Sequence, residues 1–120
     1  MSVNRCAPLE WLQHWFRAQC DGKWEHCCGV QIESLANPGW QLTIDVEGTY
    51  LEGRPHPEIT HKNAPNDWLT IRLENGKYCA AGDTTKLMFL VEHFREWAER
   101  ERELASDAPD ESGKAGAASG

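Results

Sequence analysis

The sequence predicts an α+β domain, in which an antiparallel sheet of about four to five strands carries an N-terminal and a C-terminal helix on one face. Three observations lead to this fold class. Apolar residues recur at helical spacing near both ends, they alternate with polar residues in the middle, and an Asn-Gly pair joins two alternating segments. The strands follow one another without helices between them, so a doubly wound nucleotide-binding fold is not expected.

The first predicted element is a helix from Pro8 to Cys20. Apolar residues recur at helical spacing between Leu9 and Phe16. Pro8 suits the first turn of a helix, and Gly22 is available for a left-handed cap after its last residue.

The apolar period changes to two after Gly29, which predicts strands. Val30 and Ile32 alternate with polar residues, a Pro-Gly turn follows, and a second alternating run extends from Leu42 to Val46. The next segment is rich in Gly and Pro, and we predict one short edge strand within it, around Glu58–Lys62. In the same segment, a histidine such as His56 is expected to be solvated.

A hairpin and a second helix complete the domain. Alternation from Leu69 to Leu73 leads into Asn75-Gly76, the strongest short hairpin signal in the chain. A cap at Asp83 or Thr84 then starts a helix whose apolar stripe extends from Leu87 to Trp97. The charged run that follows is expected to fray. We predict a single domain over residues 1–105 and a disordered tail over residues 106–120.

Composition and charge restrict the class of function. The formal net charge is −7, which argues against nucleic-acid binding because phosphate neutralisation needs clustered Lys and Arg. No apolar run approaches the roughly 20 residues of a membrane helix, and no secretory signal is expected at the start. Five cysteines make an odd number, so a cytoplasmic protein with free thiols is predicted rather than a disulfide framework.

The densest chemistry lies in the segment QCDGKWEHCCG, Gln19–Gly29. A structural zinc site needs two spaced ligand pairs, but Cys27 and Cys28 are adjacent, and on extended backbone their side chains point to opposite faces. Cys20 lies at a helix C-terminus, where the dipole disfavours a thiolate. We therefore predict no metal and no cofactor. Cys27 or Cys28 with His26 leaves one alternative open, a small cysteine-dependent enzyme.

Several long motifs run through most of the chain: WLQHWF at residues 11–16, QCDGKWEH at 19–26 and GVQIESLANPGW at 29–40. The Ile44-Asp45 pair and the NDWLTIRLENGKYCAAG segment continue them. Together they closely resemble the immunity protein 53 family of bacterial polymorphic-toxin systems, over roughly Leu9 to Ala98. The chain departs from the family pattern at Cys27 and Cys28. The family pattern has a polar or aromatic residue before the glycine that corresponds to Gly29.

The resemblance implies a small cytoplasmic protein, not an enzyme, that binds and neutralises a cognate toxin domain made by the same cell. It implies no catalytic residue. If the toxin is basic, as a nuclease-type domain is, acidic residues near exposed tryptophans are the expected contacts. The predicted partner-binding residues are Asp21, Trp24, Glu25, His26, Trp40, Asp45, Glu47, Asp67 and Trp68. Two alternatives remain, a sulfurtransferase-like cysteine enzyme and a general protein-interaction module.

Overall fold

The computed structural model describes residues 7–107, and within them the chain forms three helices and one five-stranded antiparallel sheet. The predicted α+β arrangement is confirmed. The predicted tail lies outside the described residues from position 108 onward. The helices are α1 (Pro8–Gln19), α2 (Trp24–Cys27) and α3 (Leu87–Asp107), and the strands are β1 (Val30–Leu35), β2 (Gly39–Asp45), β3 (Ile59–Ala64), β4 (Asp67–Glu74) and β5 (Lys77–Gly82).

The strands lie in the order β1-β2-β5-β4-β3, and every neighbouring pair is antiparallel. Three of the four pairs are hairpins between consecutive strands, including β4–β5 across Asn75 and Gly76. Both of these residues have positive φ, 54° and 75°, as the tight turn favoured by an Asn-Gly pair requires. Only the β2–β5 pair joins strands that are distant in sequence, and it leaves β1 and β3 as the two edges.

One face of the sheet is buried under the helices. Leu42, Ile44, Ile71 and Tyr78 alternate along the central strands and are fully buried there against α3. Helix α1 packs on α3 rather than broadly on the sheet, and the ring of Trp15 meets that of Phe94 edge to face at 5.1 Å. Burial of these large side chains is the main stabilising contribution to the domain.

The other face, which we term the open face, is not covered by any helix within residues 7–107. Its side chains alternate with the buried ones, and none of them is buried. Such a one-sided antiparallel sheet explains the strict alternation in the sequence. The open face consists of Gln31, Glu33, Leu35, Gln41, Thr43, Asp45, Thr60, Lys62, Trp68, Thr70, Arg72, Glu74, Lys77, Cys79 and Ala81.

Helix α3 continues through its charged run to Asp107, where the sequence indicated fraying. The loop after β2 packs along this part of the helix. The Tyr50 hydroxyl donates to the carbonyl of Ala98 at 3.1 Å, and the Arg54 guanidinium lies 3.8 Å from the carboxylate of Glu101, which is 7% exposed. These contacts from a distant segment hold the helix where its own sequence is charged all round. Among the described helices, none is long and apolar enough to cross a membrane.

Candidate functional site

The corner between α1 and α2 is built by side chains that accept hydrogen bonds from nearby backbone. Oδ1 of Asp21 accepts from the N–H groups of Lys23 and Trp24, each at 2.9 Å. The Glu25 carboxylate accepts from the N–H groups of Asp21 and Gly22 at 2.9 and 2.8 Å. Backbone N–H donors, that of Trp24 foremost, hold the pKa of the Asp21 carboxyl below its ordinary value. Both predicted binding residues therefore also fix the corner.

Trp24 lies inside the core, with 5% of its surface exposed. Its ring packs against Trp15 and Phe16 at centroid distances of 6.1 and 5.7 Å. The indole N–H donates to the carbonyl of Glu47 at 3.0 Å, which ties the corner to the end of β2. Trp24 thus positions its exposed neighbours, including His26, and does not itself present a surface to a partner.

A groove of about 520 Å³ lies between this corner and the segment after β2, and we term it the acidic groove. Asp21, Glu47 and Glu52 line it with one cation, Lys23. The carboxylate of Glu52 also accepts from the N–H of Gly48 at 2.8 Å. The local excess of carboxylates gives this groove a negative potential that favours a basic partner.

A second groove of about 460 Å³, the polar groove, lies on the other side of Cys27 and Cys28. Asp45 and Lys77 form an ion pair in it, and this partner raises the pKa of the Lys77 ammonium. The second oxygen of Asp45 accepts from the N–H of Gly29 at 2.8 Å. The polar groove therefore connects the corner with the open face, and the opposite charges of Asp45 and Lys77 compensate each other within it.

The far end of the open face carries a third groove, of about 500 Å³, which we term the tryptophan groove. The half-buried ring of Trp68 forms part of its wall, beside Asn37, Lys62 and Thr70. The backbone N–H of Trp68 donates to Asp83 at 2.8 Å, so the strand that carries this ring is fixed at its start.

Asp67 and Trp40 are held by a network at the same end of the sheet. The Lys86 ammonium lies 2.9 Å from Asp67 and 2.8 Å from Asp83. Lys86, and after it Thr85, hold the pKa of the Asp83 carboxyl well below its ordinary range. The indole N–H of Trp40 donates to the carbonyl of Thr84 at 3.2 Å. Lys86 compensates the charge of Asp67, so Asp67 attracts a basic partner less strongly than an unpaired carboxylate does.

The structure divides the nine predicted binding residues between two ends of the domain. Residues Asp21, Trp24, Glu25, His26, Asp45 and Glu47 lie at the corner end, and Trp40, Asp67 and Trp68 lie at the other. Trp40 and Asp45 are five residues apart on β2, which corresponds to about 17 Å of strand. The open face connects the two ends.

Two side-chain pairs were missed by sequence reasoning. The Sγ atoms of Cys27 and Cys28 lie 2.7 Å apart, although extended backbone would separate them. His56, expected to be solvated, is half-buried, and its Nε2 lies 3.1 Å from Nε2 of His93. The adjacent cysteines were visible in the sequence, but the helical turn that ends at Cys27 was not. Among the described residues, no group of three or more His, Cys, Asp or Glu side chains could hold a metal ion.

A comparison with family models gives one finding. A model described as immunity protein 53 matches residues 9–99, which is most of the chain. No curated protein and no solved structure matches the chain.

Proposed function

The chain belongs to the immunity protein 53 family, and from this premise we propose that it binds and neutralises a cognate bacterial toxin domain by forming a stoichiometric complex with it. Membership of the family supports an immunity function and a toxin as the partner. A basic domain of the nuclease type is proposed from the acidic character of the chain.

The observation that best supports this proposal is the open face of the sheet. It offers fifteen side chains on a five-stranded sheet, with the polar groove at one end and the tryptophan groove at the other. The acidic groove lies beyond the polar groove, across Cys27 and Cys28. A stable protein interface uses about 20–30 residues of each partner. The open face and its two rims together supply a surface of that size. Of the predicted residues, Asp45 and Trp68 lie on the open face itself, whereas Trp40 has the register of the buried Leu42 and Ile44.

Trp68 is the proposed anchor of the complex. Its ring is half exposed in a groove, and aromatic side chains in such positions dominate the affinity of many interfaces. At the opposite rim, Glu47 is exposed and has no ion-pair partner among the described side chains. We propose that the tryptophan groove supplies affinity, while the acidic groove accelerates association with a basic toxin.

The cysteine-dependent enzyme has less support. Nucleophilic catalysis needs a thiol activated by a positioned base, but among the described residues neither Cys27 nor Cys28 has a hydrogen bond with His26. The hydrogen bond with Cys27, followed by burial, also raises the pKa of Cys28 to about 11. Burial, followed by the charges of Glu25 and Asp21, also raises the pKa of Cys20. A general protein-interaction module would use the same open face, so only the identity of the partner separates it from the proposed function.

Co-expression tests the proposal. The chain is produced with the toxin domain encoded beside its gene, and we expect rescue of growth and a 1:1 complex in size-exclusion chromatography with light scattering. Trp68→Ala should weaken the complex, while His14→Ala, at an exposed position of α1, serves as a control. A toxin that is neutralised without complex formation would contradict stoichiometric binding and favour an enzymatic activity.

A further inference from the structure

The thiol pair Cys27–Cys28 lies on the surface between the acidic groove and the polar groove and lines both of them. Cys27 is exposed and Cys28 is half exposed. Among the four described cysteines, this is the pair whose sulfur atoms are in contact, at 2.7 Å. Cys20 instead donates to the carbonyl of Phe16 at 3.4 Å, and Cys79 lies on β5.

The local backbone brings the two sulfur atoms together. Helix α2 ends at Cys27, whereas Cys28 is already extended, with φ −141° and ψ 172°. The N–H of Cys28 still donates to the carbonyl of Trp24 at 2.9 Å, so the chain bends between the two residues. Since the Trp24 side chain is anchored in the core, this bend belongs to the folded corner.

We propose that Cys27 and Cys28 form a reversible oxidation site, which a low-molecular-weight disulfide such as oxidised glutathione converts into a disulfide between the adjacent residues. This inference does not depend on the proposed function. It is specific to this chain, because the thiols stand where the family resemblance shows its departure.

The exchange takes place in two steps. The Cys27 thiolate attacks one sulfur of oxidised glutathione, which forms a mixed disulfide and releases one glutathione thiolate. Cys28 then loses its proton and attacks the Cys27 sulfur, which forms the Cys27–Cys28 bond and releases the second glutathione. Two protein thiols are oxidised, and one glutathione disulfide is reduced to two thiols.

Exposure assigns the order of the two residues. Cys27 is the exposed thiol and is open to an incoming disulfide, whereas Cys28 is partly buried and keeps its proton, in agreement with its raised pKa of about 11. Cys27 is the attacking thiol, and Cys28 resolves the mixed disulfide.

Oxidation of the reduced full-length chain by oxidised glutathione tests the inference. The intact mass should fall by two hydrogens, and three of the five thiols should remain open to alkylation. Cys28→Ser should stop at a glutathione adduct on Cys27, whereas the Cys79→Ser control should close the ring as the unmodified chain does. Dithiothreitol should restore all thiols.

Three results would overturn the inference: a lasting glutathione adduct on the unmodified chain, a disulfide that includes Cys20 or Cys79, or alkylation of every thiol after oxidation. A second probe avoids dependence on one oxidant. Phenylarsine oxide, which binds closely spaced dithiols, should bind the reduced chain in a 1:1 ratio. Neither Cys27→Ser nor Cys28→Ser should bind it. Equal binding by the single variants would contradict the pairing.

Discussion

At the corner between α1 and α2, single residues fix the backbone and, on the proposed function, also meet the toxin. Asp21 and Glu25 are acidic and accessible enough to meet a partner, yet their carboxylates are also engaged by backbone N–H groups. The sulfur contact at Cys27 could not be predicted, because it depends on where a four-residue helix ends.

At this scale, the Glu25 cap gives a stability prediction. Glu25→Ala leaves the N–H groups of Asp21 and Gly22 without their side-chain acceptor and should lower the free energy of unfolding. Urea denaturation measures the change. Glu33→Ala, on the open face, is the matched control and should stay within about 0.5 kcal/mol. Equal stability of the two variants would show that the cap contributes nothing.

The two tryptophans at positions 24 and 68 should respond in opposite ways to truncation. Trp68→Ala should weaken toxin binding about 30-fold, the roughly 2 kcal/mol of an aromatic hot spot, with little loss of stability. Trp24→Ala should instead lower the free energy of unfolding by about 3–5 kcal/mol, because it empties a core position. Thermal denaturation and calorimetric titration separate the two effects. Unchanged affinity in Trp68→Ala would remove the tryptophan groove from the interface.

At the scale of elements, the loop between β2 and β3 is held to α3 through a histidine pair. Nδ1 of His56 lies 2.7 Å from the carbonyl of Pro57, so it carries the proton, and Nε2 accepts from His93. The Trp97 indole donates to the carbonyl of Pro55 at 2.9 Å in the same region. The packing of this loop could not be predicted from the periodicity of the sequence, because it depends on residues about 40 positions away.

This pairing predicts a loss of stability in acid. Burial lowers the pKa of both His56 and His93, helped by Arg100 and opposed at His93 by Glu96. The unfolded chain then binds more protons than the folded one, so stability is full above the ordinary histidine pKa of about 6.5 and falls as the pH drops below it.

Urea midpoints between pH 8 and pH 5 test the prediction. The decline should be smaller in His93→Gln, which cannot be protonated. His14→Gln, at an exposed position of α1, should decline as the unmodified chain does. An identical pH dependence in all three proteins would assign the decline to other groups.

For the whole molecule, charge determines how the partner is approached. The predicted tail carries three carboxylates and one lysine, so the rest of the chain keeps −5 of the formal −7. Association with a basic toxin should slow as salt increases, because the screening length is about 10 Å at 0.1 M. Surface-binding kinetics across a salt series measure the effect.

The location of the charge is tested separately. Glu47→Lys with Glu33→Lys should slow association more than Glu10→Lys with Glu103→Lys, although the change in net charge is the same. Equal slowing by the two double variants would mean that net charge, and not the acidic rim of the open face, steers the toxin.

At this scale the sequence predicted the class of fold but not the arrangement of the site. The β1–β2 and β4–β5 hairpins are local features and were visible as alternation around a turn. The β3–β4 hairpin was not, because only a short edge strand was predicted before β4. The β2–β5 pairing is not local, and it alone decides that Trp40 and Trp68 lie at the same end of the sheet. The predicted binding residues therefore could not be separated into two groups before the strand order was known.

The alternation of buried and open positions along the strands has a consequence for how the gene can change. Substitutions at Leu42, Ile44 and Tyr78 are restricted by packing in the core. Substitutions at their neighbours Thr43 and Cys79 are restricted only by what binds to the open face. On the proposed function, mutations at every second codon of a strand can redirect the chain toward a diverging toxin, while the codons between them preserve the fold. A library that randomises only the open-face codons should remain folded, and new specificities should be selectable from it.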